Sequence, residues 1–154
     1  MRLDAADRVG ARLPGERKDE HVKSILIADA DAAVRAELKK QLTSRSLSVI
    51  EASSAAQALQ LLRTNTIDLF IADAELPDLD GYALLAKIRA AGSLTLRGLP
   101  IVLLFKDDSE RQRAKAMMSG ASGVLKKPLG PTATAELVGR LLPSVAASLA
   151  SAAR

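Results

Sequence analysis

The chain has no cysteine and no tryptophan, a single histidine, and only two phenylalanines and one tyrosine. Without cysteine there are no disulfide staples, thiolate metal sites or thiol nucleophiles, which agrees with a reducing, cytoplasmic setting. One histidine, His21, builds neither a nucleophilic triad nor a histidine-rich metal site, and it falls in a tail-like stretch. No Walker phosphate loop is present, and Gly120 and Gly123 lack dinucleotide-loop spacing. The first twenty residues mix charges of both signs without the apolar stretch of a signal peptide. The most apolar stretch, residues 141–153, is broken by Pro143, Ser144, Ser148 and Ser151 and falls short of the roughly 18 residues a membrane span needs. The net charge of +4, from 22 basic and 18 acidic side chains, is scattered, so it describes a solvated surface better than a nucleic-acid footprint.

What is there is aliphatic. With 48% hydrophobic residues in 154, the chain has enough for one core, and that core must be Leu, Ile, Val and Ala. Residues 1–22 carry mixed charges, Pro14 and Gly15 and read as a flexible tail. Short apolar runs at 25–28, 47–51, 67–72, 101–105 and 122–126 read as strands, the continuous ones buried on both faces. Between them, apolar residues recur at helical spacing: Val34, Leu38 and Leu42; Ala55, Ala58, Leu59 and Leu62 behind the caps Ser53 and Ser54; Leu84, Leu85 and Ile88. A charged helix at 108–119 and a last helix at 131–142, with Pro131 in its first turn, complete the alternation. Met117 and Met118 read as packing residues, and 92–98 as a loop. Five strands alternating with five helices predict a doubly wound α/β fold with parallel strands and helices on both faces.

In such sheets ligands bind beyond the carboxyl ends of strands. Asp29, Asp73 and Lys127 each end a predicted strand, so they should converge. Two carboxylates beside an ammonium suit a hard divalent cation, with magnesium the natural choice. They also suit a carboxylate that accepts a phosphoryl group while positive charge offsets the developing anion.

The runs Ile25-Leu26-Ile27-Ala28-Asp29, Asp73-Ala74-Glu75-Leu76-Pro77-Asp78-Leu79-Asp80-Gly81 and Lys127-Pro128 resemble the receiver domain of bacterial two-component response regulators. The resemblance covers residues 23–142, leaving 143–154 as an Ala/Ser-rich extension. It implies a CheY-like, flavodoxin-like sheet of order 2-1-3-4-5. By the same resemblance, Asp73 is the phosphoacceptor and Lys127 pairs with its carboxylate and then with the phosphoryl group. Asp29, Asp73 and the Glu75 backbone carbonyl serve Mg2+. A sensor histidine kinase or histidine phosphotransfer protein is the implied donor, and a downstream protein the implied target. No DNA-binding output domain is read after residue 142, and homodimerisation through helix four, strand five and helix five is open. Any enzymatic activity would be limited to self-phosphotransfer and autodephosphorylation.

Three departures stand against this pattern. Ala30 replaces a second acidic residue and weakens the metal site. Phe105 replaces the strand-four Ser or Thr, and Val124 the strand-five aromatic. Phe105 is expected to fill the space of that missing aromatic. Asp31 reads as the N-cap of the first helix or as a partial metal substitute, with Arg35 four residues on as a partner. The alternatives are therefore a stand-alone regulator phosphorylated at Asp73 and a pseudo-receiver acting as a phosphorylation-independent interaction module. A small hydrolase with Asp73 as nucleophile would need an acid or base the sequence does not supply.

Overall fold

The computed structural model of the chain describes residues 22–43, 47–107, 109–146 and 149; the predicted tail, with His21, lies outside them. Five strands, β1 (Lys23–Ala28), β2 (Leu47–Ala52), β3 (Leu69–Asp73), β4 (Ile101–Phe105) and β5 (Gly123–Lys126), form one all-parallel sheet of order β2-β1-β3-β4-β5. Among the described residues, five helices of nine or more residues connect and cover them: α1 (Ala32–Leu42), α2 (Ala55–Thr64), α3 (Gly81–Arg89), α4 (Glu110–Met118) and α5 (Pro131–Leu141).

Strands β1, β3 and β4 are buried on both faces, which is why they read as apolar runs, whereas the edge strands β2 and β5 are only partly covered. Leu26, Ala28, Phe70, Ala72, Ile101, Leu103 and Phe105 point to one face and pack with Ala58 and Leu62 of α2, Leu84, Leu85 and Ile88 of α3, and Ala116 of α4. Their neighbours Ile25, Ile27, Leu69, Ile71, Val102, Leu104 and Leu125 point to the other, against Leu38 and Leu42 of α1 and Leu137 and Val138 of α5. Each such Leu or Ile contributes about 1.5–3 kcal/mol by leaving water.

Helix starts follow the sequence chemistry. Asp31, Ser54, Asp80 and Ser109 cap α1, α2, α3 and α4, each accepting from a backbone N–H of the first turn. Asp31 is thus engaged as a cap. Asp78 adds a second anchor at α2, accepting from Ala55 N (2.8 Å) and Ala56 N (2.9 Å). These bonds hold its carboxyl below the usual range.

Three expectations are corrected. The 92–98 segment contains a helical turn, Leu94–Arg97, because Ser93 caps it by accepting from Leu96 N. Strand three begins at Leu69, since Asp68 hydrogen-bonds Ser24 through both its backbone and its carboxylate just before the ladder. Met117 and Met118 are 49% and 89% exposed, because α4 buries Ala116 instead. After α5 the chain turns through a 3₁₀ turn, Pro143–Val145, and Val145 and Leu149 are buried in the α1/α5 layer.

Candidate functional site: an acidic crevice at the carboxyl edge of the sheet

Asp29 directly follows β1, Asp73 ends β3 and Lys127 directly follows β5. Backbone bonds fix all three. Asp29 N donates to Ala52 O (3.1 Å), Ala74 N to Leu104 O (3.0 Å), and Lys127 N to Phe105 O (2.7 Å). The Lys127–Pro128 bond is cis. Gly81 lets the loop after Asp73 close tightly: a Cβ there would lie 2.8 Å from Ala74 Cα and 3.1 Å from Asp73 O.

The side chains converge as the strand ends do. Lys127 Nζ lies 2.7 Å from Asp29 Oδ2 and 3.3 Å from Asp73 Oδ2. Asp29 is 1% exposed and Asp73 8%, so one ammonium serves two buried carboxylates. At 2.7 Å the contact to Asp29 Oδ2 has the length of a charge-assisted hydrogen bond. The other oxygens are tied locally: Asp29 Oδ1 accepts from Asp31 N (2.9 Å) and Asp73 Oδ1 from Glu75 N (3.2 Å). Burial lowers the Lys127 pKa, but its bond to Asp29 and the charges of Asp73 and Asp29 outweigh burial and raise it above 10.5. Lys126, its neighbour, is exposed.

The oxygen-only donors suit a hard cation, and two carboxylates with the Glu75 carbonyl fit one that keeps most of its waters. They do not form a closed cage. Among the described residues no three Asp, Glu, His or Cys side chains come together as a metal site, and Ala30 is an exposed methyl beside Asp29.

Arg35 is a site residue that spacing did not reveal. Its guanidinium turns from the expected Asp31 to Glu51 on β2 (3.0 Å) and to the Asp29 carbonyl (2.6 Å). Phe105 is buried, with its ring 6.2 Å from that of Tyr82, and Lys115 Nζ sits 4.1 Å from the Tyr82 centroid. Val124 is partly buried against the same core cluster and pairs with Leu103 of β4. A cavity of about 10 Å³, room for roughly one water, adjoins Asp73 and is lined by Phe105, Lys106 and Gln112 among others.

A family model, the response regulator receiver domain, matches residues 25–139. The chain belongs to this family. It is 34% identical over 117 residues to the response regulator MprA of Mycobacterium sp. (strain KMS), covering 76% of this chain and 48% of that protein. The receiver domain described here thus spans about half the length of the curated relatives it matches. Among solved structures, a two-component response regulator from Clostridium difficile aligns with TM-score 0.71 at 28% identity, covering 79% of this chain and 96% of that one. The signal receiver domain of an HD domain-containing protein from Pseudomonas fluorescens Pf-5 gives 0.72 at 29%, covering 80% and 96%. The chain is a receiver domain of the two-component signalling class, and among its described residues no helix is long and apolar enough to cross a membrane.

Proposed function

We propose that this receiver domain accepts a phosphoryl group on Asp73 from a phosphohistidine of a sensor kinase or phosphotransfer protein. The observation that carries this reading is the Lys127 ammonium lying between the carboxylates of Asp73 and Asp29. An Asp73 oxygen attacks phosphorus, the P–N bond breaks, and its electron pair returns to the imidazole nitrogen, which takes a proton from solvent. Lys127 holds positive charge beside the acceptor while Asp29 keeps that ammonium in place. Asp29, Asp73 and the Glu75 carbonyl would hold Mg2+, which supplies further charge neutralisation when bound. Ala30 leaves this metal site one carboxylate short, so weaker binding of the cation is expected. Hydrolysis reverses the state: water attacks phosphorus, the bond to Asp73 breaks, and inorganic phosphate leaves.

The phosphorylated state is passed on by contact with a downstream protein. The face formed by α4, β5 and α5 supports this role, because it carries a groove of about 420 Å³ lined by Val124, Lys126, Glu136 and Arg140. A copy of this chain is one partner that the groove would take.

The test is incubation with Mg2+ and an acyl-phosphate donor followed by intact mass analysis. One hydroxylamine-labile phosphoryl group, absent in Asp73→Asn, is the expected result. The pseudo-receiver reading is favoured by one observation, the buried phenyl ring of Phe105 where the family resemblance implies a hydroxyl. It requires no label on the wild type, and partner binding that is the same for wild type and Asp73→Asn.

A further inference from the structure

A phosphoryl group on Asp73 brings nearly two negative charges and three acceptor oxygens. Lys127 approaches the acceptor from the β5 side and is already shared with Asp29. On the β4 side the wall of the crevice comprises Leu104, Phe105, Lys106, Asp107 and Gln112. The Phe105 ring donates nothing. Two side chains of that wall can donate, the Lys106 ammonium and the Gln112 carboxamide.

Gln112 carries the more telling observation. Its backbone is fully engaged: N–H donates to Ser109 Oγ (3.1 Å), and the carbonyl accepts from the Tyr82 hydroxyl (3.4 Å). Its side-chain Oε1 is buried and, among the described residues, has no hydrogen-bond partner. Leaving a buried oxygen unmet is costly, so such groups tend to mark a missing ligand or water. The adjoining cavity has room for roughly one water. Rotating the carboxamide by half a turn exchanges its oxygen for an NH2 group. That turns an unmet acceptor, in a wall it shares with the carboxylates of Asp73, Glu75 and Asp107, into two donors. Gln112 also lies in the first turn of α4, where the helix dipole favours an anion.

We propose that Lys106 and Gln112 form the anion-binding wall for the phosphoryl group on Asp73, replacing the absent β4 hydroxyl with an ammonium and a carboxamide. This rests on the reading of Asp73 as the acceptor. Lys106 is exposed and supplies charge; Gln112 is held by α4 and supplies direction. Phe105 lines the same cavity, so its ring edge is the apolar boundary that the group would meet.

The experiment titrates the full chain with beryllofluoride and Mg2+ by NMR, in wild type, Lys106→Met, Gln112→Leu, Gln112→Glu and the control Lys87→Met, an exposed lysine of α3. Wild type and Lys87→Met should bind alike, and the Gln112 side-chain NH2 signals should shift on binding. Lys106→Met and Gln112→Leu should each weaken binding about tenfold, as expected for a lost charge-assisted hydrogen bond, and Gln112→Glu more. Gln112→Glu keeps the side-chain shape, so it reports even if the leucine variant folds poorly. If wild type binds and the Lys106 and Gln112 variants match it, the wall is refuted while Asp73 stands as acceptor. If wild type itself gives no response, the acceptor reading fails first and the wall with it.

Discussion

Replacing Lys127 by methionine removes the ammonium that separates two buried carboxylates. Asp29 Oδ2 and Asp73 Oδ2 contact the same nitrogen at 2.7 and 3.3 Å, so they lie within about 6 Å of each other. Their mutual repulsion, about 3 kcal/mol at an effective dielectric of about 20, is offset in wild type by attraction to the ammonium and goes uncompensated without it, and losing one partner of a buried ion pair typically costs about 3–5 kcal/mol. Methionine keeps most of the apolar stem, so the loss is chiefly electrostatic. Urea unfolding in metal-free buffer near neutral pH should show Lys127→Met about 3 kcal/mol less stable than wild type. Adding Asp29→Asn removes one of the two charges and should restore most of that loss, a coupling read by a double-mutant cycle. In wild type the raised Lys127 pKa sets the alkaline limb. Its contribution is complete below about pH 10.5 and is lost as pH rises through the higher folded value. A Lys127→Met protein within about 0.5 kcal/mol of wild type, or no rescue by Asp29→Asn, would refute the shared-ammonium account.

Other predictions test the frame around the site. Arg89 donates to the carbonyls of Gly120 (2.7 and 3.1 Å), Leu99 (2.6 Å) and Arg97 (3.0 Å), so Arg89→Met should cost about 2 kcal/mol in urea melts. Asp78 is held below its ordinary pKa of 3.8 by the Ala55 and Ala56 N–H groups, so its contribution is present above that pH and lost as pH falls through the folded value. Asp78→Asn should therefore lower Tm at neutral pH, with the gap from wild type closing in strong acid, as read by circular dichroism. In Gly81→Ala, the new Cβ meets backbone at 2.8 Å, and a loss of about 1–3 kcal/mol with shifted Asp73 and Ala74 amides should follow.

The sheet was legible because burial on both faces writes itself into sequence as runs such as Ile25 to Ala28, and strand-end placement then brought Asp29, Asp73 and Lys127 together. Caps at Asp31 and Ser54 were legible as well, since that chemistry is local. Long-range polar contacts were not. Arg35 reaches Glu51 on a neighbouring strand instead of Asp31 in its own turn, and Asp78 crosses to the start of α2. Nothing in the spacing of Arg89 announces that it gathers the carbonyl of Gly120, a residue held at φ 104°. Met117 and Met118 misled for a related reason: hydrophobicity does not say which side of α4 meets the sheet, and the small Ala116 takes that position. Phe105 was expected to point inward and does, yet its pairing with Tyr82 depended on a helix start that only the fold brings near.

The most direct test of the acceptor role is a backbone amide NMR spectrum recorded with Mg2+ and beryllofluoride, for wild type and Asp73→Asn. Shifts centred on Asp73, Ala74, Phe105 and Lys127 in wild type, and none in the variant, are predicted. An unchanged wild-type spectrum at saturating reagent, with the protein folded, would contradict phosphoryl acceptance at Asp73.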